Sequence, residues 1–158
     1  MMLDKIPPEV NRLSRALPRF PDGRINYTSA TEAVVVDCYV LRQEELLILK
    51  RRNQIAGSMT PWHVVAGYLD QACTLRQKAL EEVVEETGVT QICSMEAIAP
   101  YVHVDVKAWT VYPVAVRIFP GSEIRLNEEH TEFAWIKPNR VSEYLLPQVC
   151  DAFMKFRM

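Results

Sequence analysis

Excess charge is scarce in this chain. Its 18 lysines and arginines stand against 20 aspartates and glutamates, a formal net charge of −2. That balance excludes a broad cationic surface for nucleic acid or membrane. The one tight basic cluster is Lys50, Arg51 and Arg52. Long apolar runs are absent too: nothing approaches the roughly 20 residues of a membrane span, and the first residues carry no apolar segment of the secretory type. A cytoplasmic location is therefore expected. The four cysteines, at 38, 73, 93 and 150, have no metal-type spacing, and His63, His103 and His130 are scattered. This argues against a zinc site and a disulfide framework, leaving free thiols in a reducing compartment. Repeats and low-complexity segments are missing as well.

What is present suits one domain over residues 1–158, long enough to bury a core without staples. The proline-rich residues 1–30 read as an N-terminal arm packed on the body. Within it Pro8 to Leu17 has helical spacing, with Val10, Leu13 and Leu17 on one side. "TEAVVVDCYVL" and "LLILKRR" read as strands joined by the polar turn "RQEE", a hairpin. "NQIAGSMTP" reads as a loop and "WHVVAGYL" as a short extended lead into Gly67. "QICSMEAIAPYVHVDV", "WTVYPVAVRIF" and "EFAWIKP" are strand-like. Pro113 cannot donate to a ladder, which predicts an edge position or a bulge. "SEYLLPQVCDAFMKF" reads as a closing helix that Pro147 begins or kinks, with Leu146, Val149, Phe153 and Phe156 inward. Strands, helix, strands, helix is the order of an α+β layered domain.

The central helix is the informative segment. Thr74 and Gln77 form a capping-box pattern, and Gly88 is a natural helix stop. Leu75, Ala79, Leu80, Val83 and Val84 are expected to face the core, with Glu82, Glu85 and Glu86 on the opposite arc. Like charges three and four residues apart cost about 0.2–0.5 kcal/mol per pair. They also crowd the negative end of the helix dipole. Such a ridge is either a solvated face or a seat for a hard cation, whose charge reverses both penalties.

The flanks bear on that choice. Gly67, Glu82, Val83, Glu85, Glu86, Gly88 and Val89 stand in the register G-x5-E-x7-R-E-U-x-E-E-x-G-U, where U is a bulky aliphatic. The run resembles the Nudix box, the signature of hydrolases acting on nucleoside diphosphates linked to another group. Cys73 replaces the first family glutamate, Glu81 the arginine, and Val65-Ala66-Gly67 the usual Pro-Gly-Gly. A carboxylate and a guanidinium that pair with each other can be lost together without an orphan charge. Lys78, four residues before Glu82, is the candidate stand-in, without arginine's planar fork. "NEEHTEFAWIKP" is similar to the Glu-His-x-x-aromatic-x-Trp segment of diadenosine polyphosphate hydrolases and dihydroneopterin triphosphate pyrophosphatases. The resemblance covers residues 31–147.

It implies a Nudix fold: an α/β/α sandwich around a mixed β-sheet, the box forming loop-helix-loop. The implied activity is Mg2+-dependent cleavage of a pyrophosphate linkage in a nucleoside di- or triphosphate derivative, with Mn2+ as the other candidate cation. Glu82, Glu85, Glu86 and Glu129 are the implied catalytic set, and the metal ligands would be Glu82, Glu85, Glu86 and the backbone oxygen near Gly67. Arg51, Arg52 and Tyr68 are the candidate substrate contacts. Trp62, Tyr101 and Trp109 are further aromatics that could stack on a base, whereas Phe133 and Trp135 read as strand core. The expected partner is a small nucleotide, with no membrane and no strong nucleic-acid binding; a homodimer stays open beside a monomer. The rival reading is a non-catalytic Nudix-fold module that senses a nucleotide. The missing arginine favours it; the retained Glu-x-x-Glu-Glu opposes it.

Overall fold

The β-branched run after Thr31 lays down the centre of the sheet. In the computed structural model, which describes residues 2–53 and 60–156, Glu32–Arg42 is strand β1 and Glu45–Arg51 is β2. They join tightly through Gln43, at φ 57, and Glu44. The hairpin pairs only at this end, Leu41 with Leu46 and Arg42 with Glu45. Beyond it the strands diverge, and Trp62–His63 (β3) and Val65–Tyr68 (β4) fill the wedge. β3 pairs with β2 and β4 with β1, Val36 lying opposite Gly67. Most of the expected loop "NQIAGSMTP" lies outside the described residues.

The other strands are Ile92–Ala97 (β5), Tyr101–Val104 (β6), Ala108–Ile118 (β7) and His130–Ile136 (β8). β7 runs parallel to β1, while β5 and β6 pair antiparallel along its far side and β8 antiparallel to β2. The result is a mixed eight-stranded sheet. Of the two places expected for Pro113, the edge is not the one found: β7 is an interior strand. Its far side is instead interrupted where β5 ends, at Ala97 opposite Val114, and β6 begins, at Tyr101 opposite Val111. The Pro113 carbonyl accepts from Ile98 N in that gap, 3.3 Å. The missing N–H points the same way, so no ladder bond is lost.

Side-chain alternation divides the core. Val36, Cys38, Val40, Leu47 and Leu49 face one way, and Tyr39, Leu41, Leu46 and Ile48 the other. The first face is covered by helix α1 (Pro8–Ala16) and helix α2 (Leu75–Thr87), the second by helix α3 (Pro147–Met154). This is the expected α+β sandwich. From the arm, Leu3, Val10, Leu13, Ile25 and Tyr27 are buried in the first cluster, with Leu17 partly buried against it. Pro147 begins α3, whose Val149 and Phe153 are buried, as is Phe156 just beyond it; Leu146 is half-buried. Phe133, expected inside, is exposed, while Trp135 is partly buried under the Arg42 guanidinium, 4.2 Å from its ring centre. Among the described residues no helix is long and apolar enough to cross a membrane.

Candidate active site

Helix α2 starts at a reciprocal cap. Thr74 Oγ1 accepts from Gln77 N at 3.1 Å, and Gln77 Oε1 accepts from Thr74 N at 2.9 Å. Gly88, at φ 73, ends it. The helix faces the sheet differently from the expectation. Lys78, Glu82 and Glu86 are buried with Leu75, Ala79, Val83 and Thr87, whereas Leu80 is half-buried and Val84 and Glu85 are exposed. At roughly 100° per residue Glu82 lies only about 20° from Leu75, so the acidic and apolar arcs overlap. The helix rests on their shared border and turns two of the three glutamates inward.

Gly67 makes room for them. A Cβ at this position would lie 2.1 Å from Glu82 Cδ, so only glycine lets the carboxylate approach β4. Glu82 and Glu86, one helical turn apart, are both buried on this face of α2. Two carboxyls taken from water side by side disfavour carrying charge together. Burial pushes both groups above the usual carboxylate range, Glu86 further, with Glu82 and Glu129 adding to the rise.

Position 81 is rebuilt around the other charge. Lys78 is fully buried. Its Nζ lies 2.9 Å from Asp70 Oδ1, 3.0 Å from Glu81 Oε2 and 3.5 Å from Glu82 Oε1. Burial works against the ammonium, but bonds to Asp70 and Glu81 outweigh it and raise the pKa. Arg24, from the arm, sits 3.4 Å from Glu81 and 3.7 Å from Asp70. Burial raises the Cys73 thiol, leaving a poor nucleophile beside the helix start.

Above Glu86, Arg51, Asn53, Val64, Ala66, Glu129 and His130 line a cleft of about 270 Å3 at the divergence of β1 and β2. Arg51 is the basic side chain of this wall. Arg52 is exposed, and its Nε donates to the Glu128 carbonyl at 2.8 Å while its N–H holds the Glu129 carbonyl at 2.9 Å. It braces the Glu128–Glu129 turn. Glu86, exposed Glu129 and His130 bring one potential ligand atom each within 4.8 Å of one another. His130 Nε2 is 3.8 Å from Glu86 Oε1. His130 Nδ1 and Glu86 Oε2 are buried without partners among the described residues. Burial, then Arg51 and His63, lowers the imidazole to about 4. His130 lies far from the box in sequence, and the pairing of Arg51 with His130 across β2 and β8 brings it over α2.

Tyr68, beside Gly67, is 41% exposed, its ring stacked on Tyr27 at 5.2 Å and 6.0 Å from Trp109. Trp62 and Tyr101 are instead used in packing against the α3 side. A larger groove of about 760 Å3 runs past Gln43–Glu45, Lys137–Asn139 and Met154, but none of its lining side chains is buried, and we place no chemistry there.

The family model of the NUDIX domain matches residues 31–152. The chain belongs to the Nudix family. No curated protein matches it in sequence. Solved structures do match in fold. A MutT Nudix hydrolase of Burkholderia pseudomallei is 18% identical over 78% of this chain and 96% of that one, TM-score 0.66. The E. coli dihydroneopterin triphosphate pyrophosphohydrolase is 18% identical over 78% and 93%, TM-score 0.65. A C. elegans Ap4A hydrolase is 18% identical over 78% and 94%, TM-score 0.64. Nudix hydrolases generally use divalent metals, and a Glu/His cluster of the right donor type stands at the box helix of this member.

Proposed function

We propose that this Nudix protein is a hydrolase dependent on Mg2+ or Mn2+ that cleaves a pyrophosphate linkage in a nucleoside di- or triphosphate derivative. The carrying observation is the buried Glu82–Glu86 pair below the cleft, with an unpartnered Glu86 oxygen. A carboxyl pair removed from water must keep a proton or take a cation. The donor set suits a cation: Glu82, Glu86, Glu129 and the backbone oxygen near Gly67 would hold it, with Glu85 at the solvent rim. Bound there, a divalent ion supplies neutralisation of phosphate charge and acidification of water.

The chain's own groups do the rest. Arg51 on the cleft wall binds phosphate oxygens. Arg52 orients Glu129 by bracing its turn. Glu129, exposed at the cleft mouth, accepts the proton of the attacking water. Tyr68 presents an aromatic face to a base. The names of the Ap4A and dihydroneopterin triphosphate enzymes support nucleotide pyrophosphate chemistry as the class. A module that only binds has little use for two buried carboxyls under its cleft, which favours catalysis over the rival reading.

The test is turnover of a nucleotide panel with Mg2+ or Mn2+. We expect cation-dependent hydrolysis that falls about 100-fold or more in Glu86→Gln, as for loss of a metal-site group, and less in Glu85→Gln. If both variants match the parent, the proposed enzyme is refuted.

A further inference from the structure

We propose that His130 is a nitrogen ligand of this cation site, and that the site therefore selects a first-row transition ion such as Mn2+ over Mg2+. The inference rests on the divalent-cation reading above and adds a donor that the box does not contain.

His130 is the first residue of β8 and its side chain is 5% exposed. A buried imidazole normally spends both ring nitrogens on hydrogen bonds. Here Nδ1 has no partner among the described residues, and Nε2 stands 3.8 Å from Glu86 Oε1, beyond hydrogen-bond length. The nearby Glu86 Oε2 is also unpartnered. Glu86 and His130 each keep one buried atom unmet, approach to 3.8 Å through Oε1 and Nε2, and with Glu129 can each offer one ligand atom within 4.8 Å of the others, which suits a shared ion. A cation is a partner that a carboxylate oxygen and an imidazole lone pair can bind together. On the cleft side Glu86 and Glu129 face Arg51, while the Lys78 ammonium beneath Glu82 is shared with Asp70 and Glu81.

Donor type then decides the ion. Mg2+ takes oxygen ligands and keeps several waters, whereas imidazole suits later divalent ions. A mixed oxygen and nitrogen set shifts selectivity away from Mg2+.

The test uses the whole chain without nucleotide. Mn2+ is titrated calorimetrically against Mg2+, and the Mn2+ form is examined by pulsed EPR for 14N coupling. We expect Mn2+ to bind about tenfold tighter or more, with 14N modulation present in the parent and in His63→Gln. In His130→Ala the modulation disappears and Mn2+ affinity falls about 10- to 100-fold, while Mg2+ affinity changes less than about twofold. The parent spectrum does not depend on the variant folding. Mn2+ bound without 14N modulation, or with unchanged affinity in folded His130→Ala, overturns the nitrogen ligand and leaves the hydrolase reading standing. No binding of either ion overturns both.

Discussion

A carboxylate at position 81 would repel Glu82 if its surroundings were those of a bare helix. Lys78 and Arg24 reverse that: Glu81 is held by both, and Lys78 also reaches Glu82. Glu81→Arg should therefore harm this protein, because it sets a third cation against two. We expect a lower melting temperature and lower turnover; a faster enzyme would show that the network does not support the site. Lys78→Ala leaves Asp70, Glu81 and Glu82 short of their buried cation, at a cost of about 3 kcal/mol or more, readable by chemical denaturation. Lys78 could be picked out in the sequence because helical spacing places it under Glu82. Arg24 could not, since nothing in the linear chain links the arm to α2.

At the scale of elements, β4 and α2 depend on each other through Gly67. Gly67→Ala drives a methyl group into the Glu82 carboxylate. It should abolish Mn2+ binding by calorimetry while the far-UV circular dichroism stays that of the parent. The arm is also structural. Deleting residues 1–30 strips Leu3, Val10, Leu13, Ile25 and Tyr27 from the core. At about 1.5–3 kcal/mol per buried side chain the loss rivals the 5–15 kcal/mol that hold an ordinary domain together. We expect the truncated chain to lack dispersed amide resonances. The strands, both caps of α2 and the start of α3 were legible because each is coded locally, by alternation, Thr74, Gly88 or Pro147. The place of Pro113 was not, because it depends on where β5 and β6 stop. Nor was the facing of α2, because its apolar and acidic arcs overlap and the sheet chooses between them.

For the whole molecule, the buried acid pair links stability to pH. Glu86 is raised in the folded state, chiefly by burial. The folded chain therefore holds a proton that the unfolded chain releases above the ordinary carboxylate range. That contribution is full below this range and drains away as pH rises toward the raised folded value. In chelator, Glu86→Gln should melt higher than the parent at pH 8, by about 2–4 °C per kcal/mol recovered, and the gap should close near pH 4.5. A gap of the same size at both pH values would contradict the retained proton. Added Mn2+ should raise the parent's melting temperature more at pH 8 than at pH 5.5, since the cation displaces that proton. The family was legible from box register. His130 was not, because its meeting with Glu86 depends on β8 folding back beside β2.

The reversal at position 81 also makes a forecast about descent. Asp70, Lys78, Glu81 and Arg24 form a linked set of compensating charges, so its members should change hands together. A relative that regains arginine at the place of Glu81 should recover an acid where Cys73 stands and abandon the basic residues of the arm and of the helix's first turns. Exchanging one position alone would strand its former mates, and such halfway sequences should be rare among living homologues.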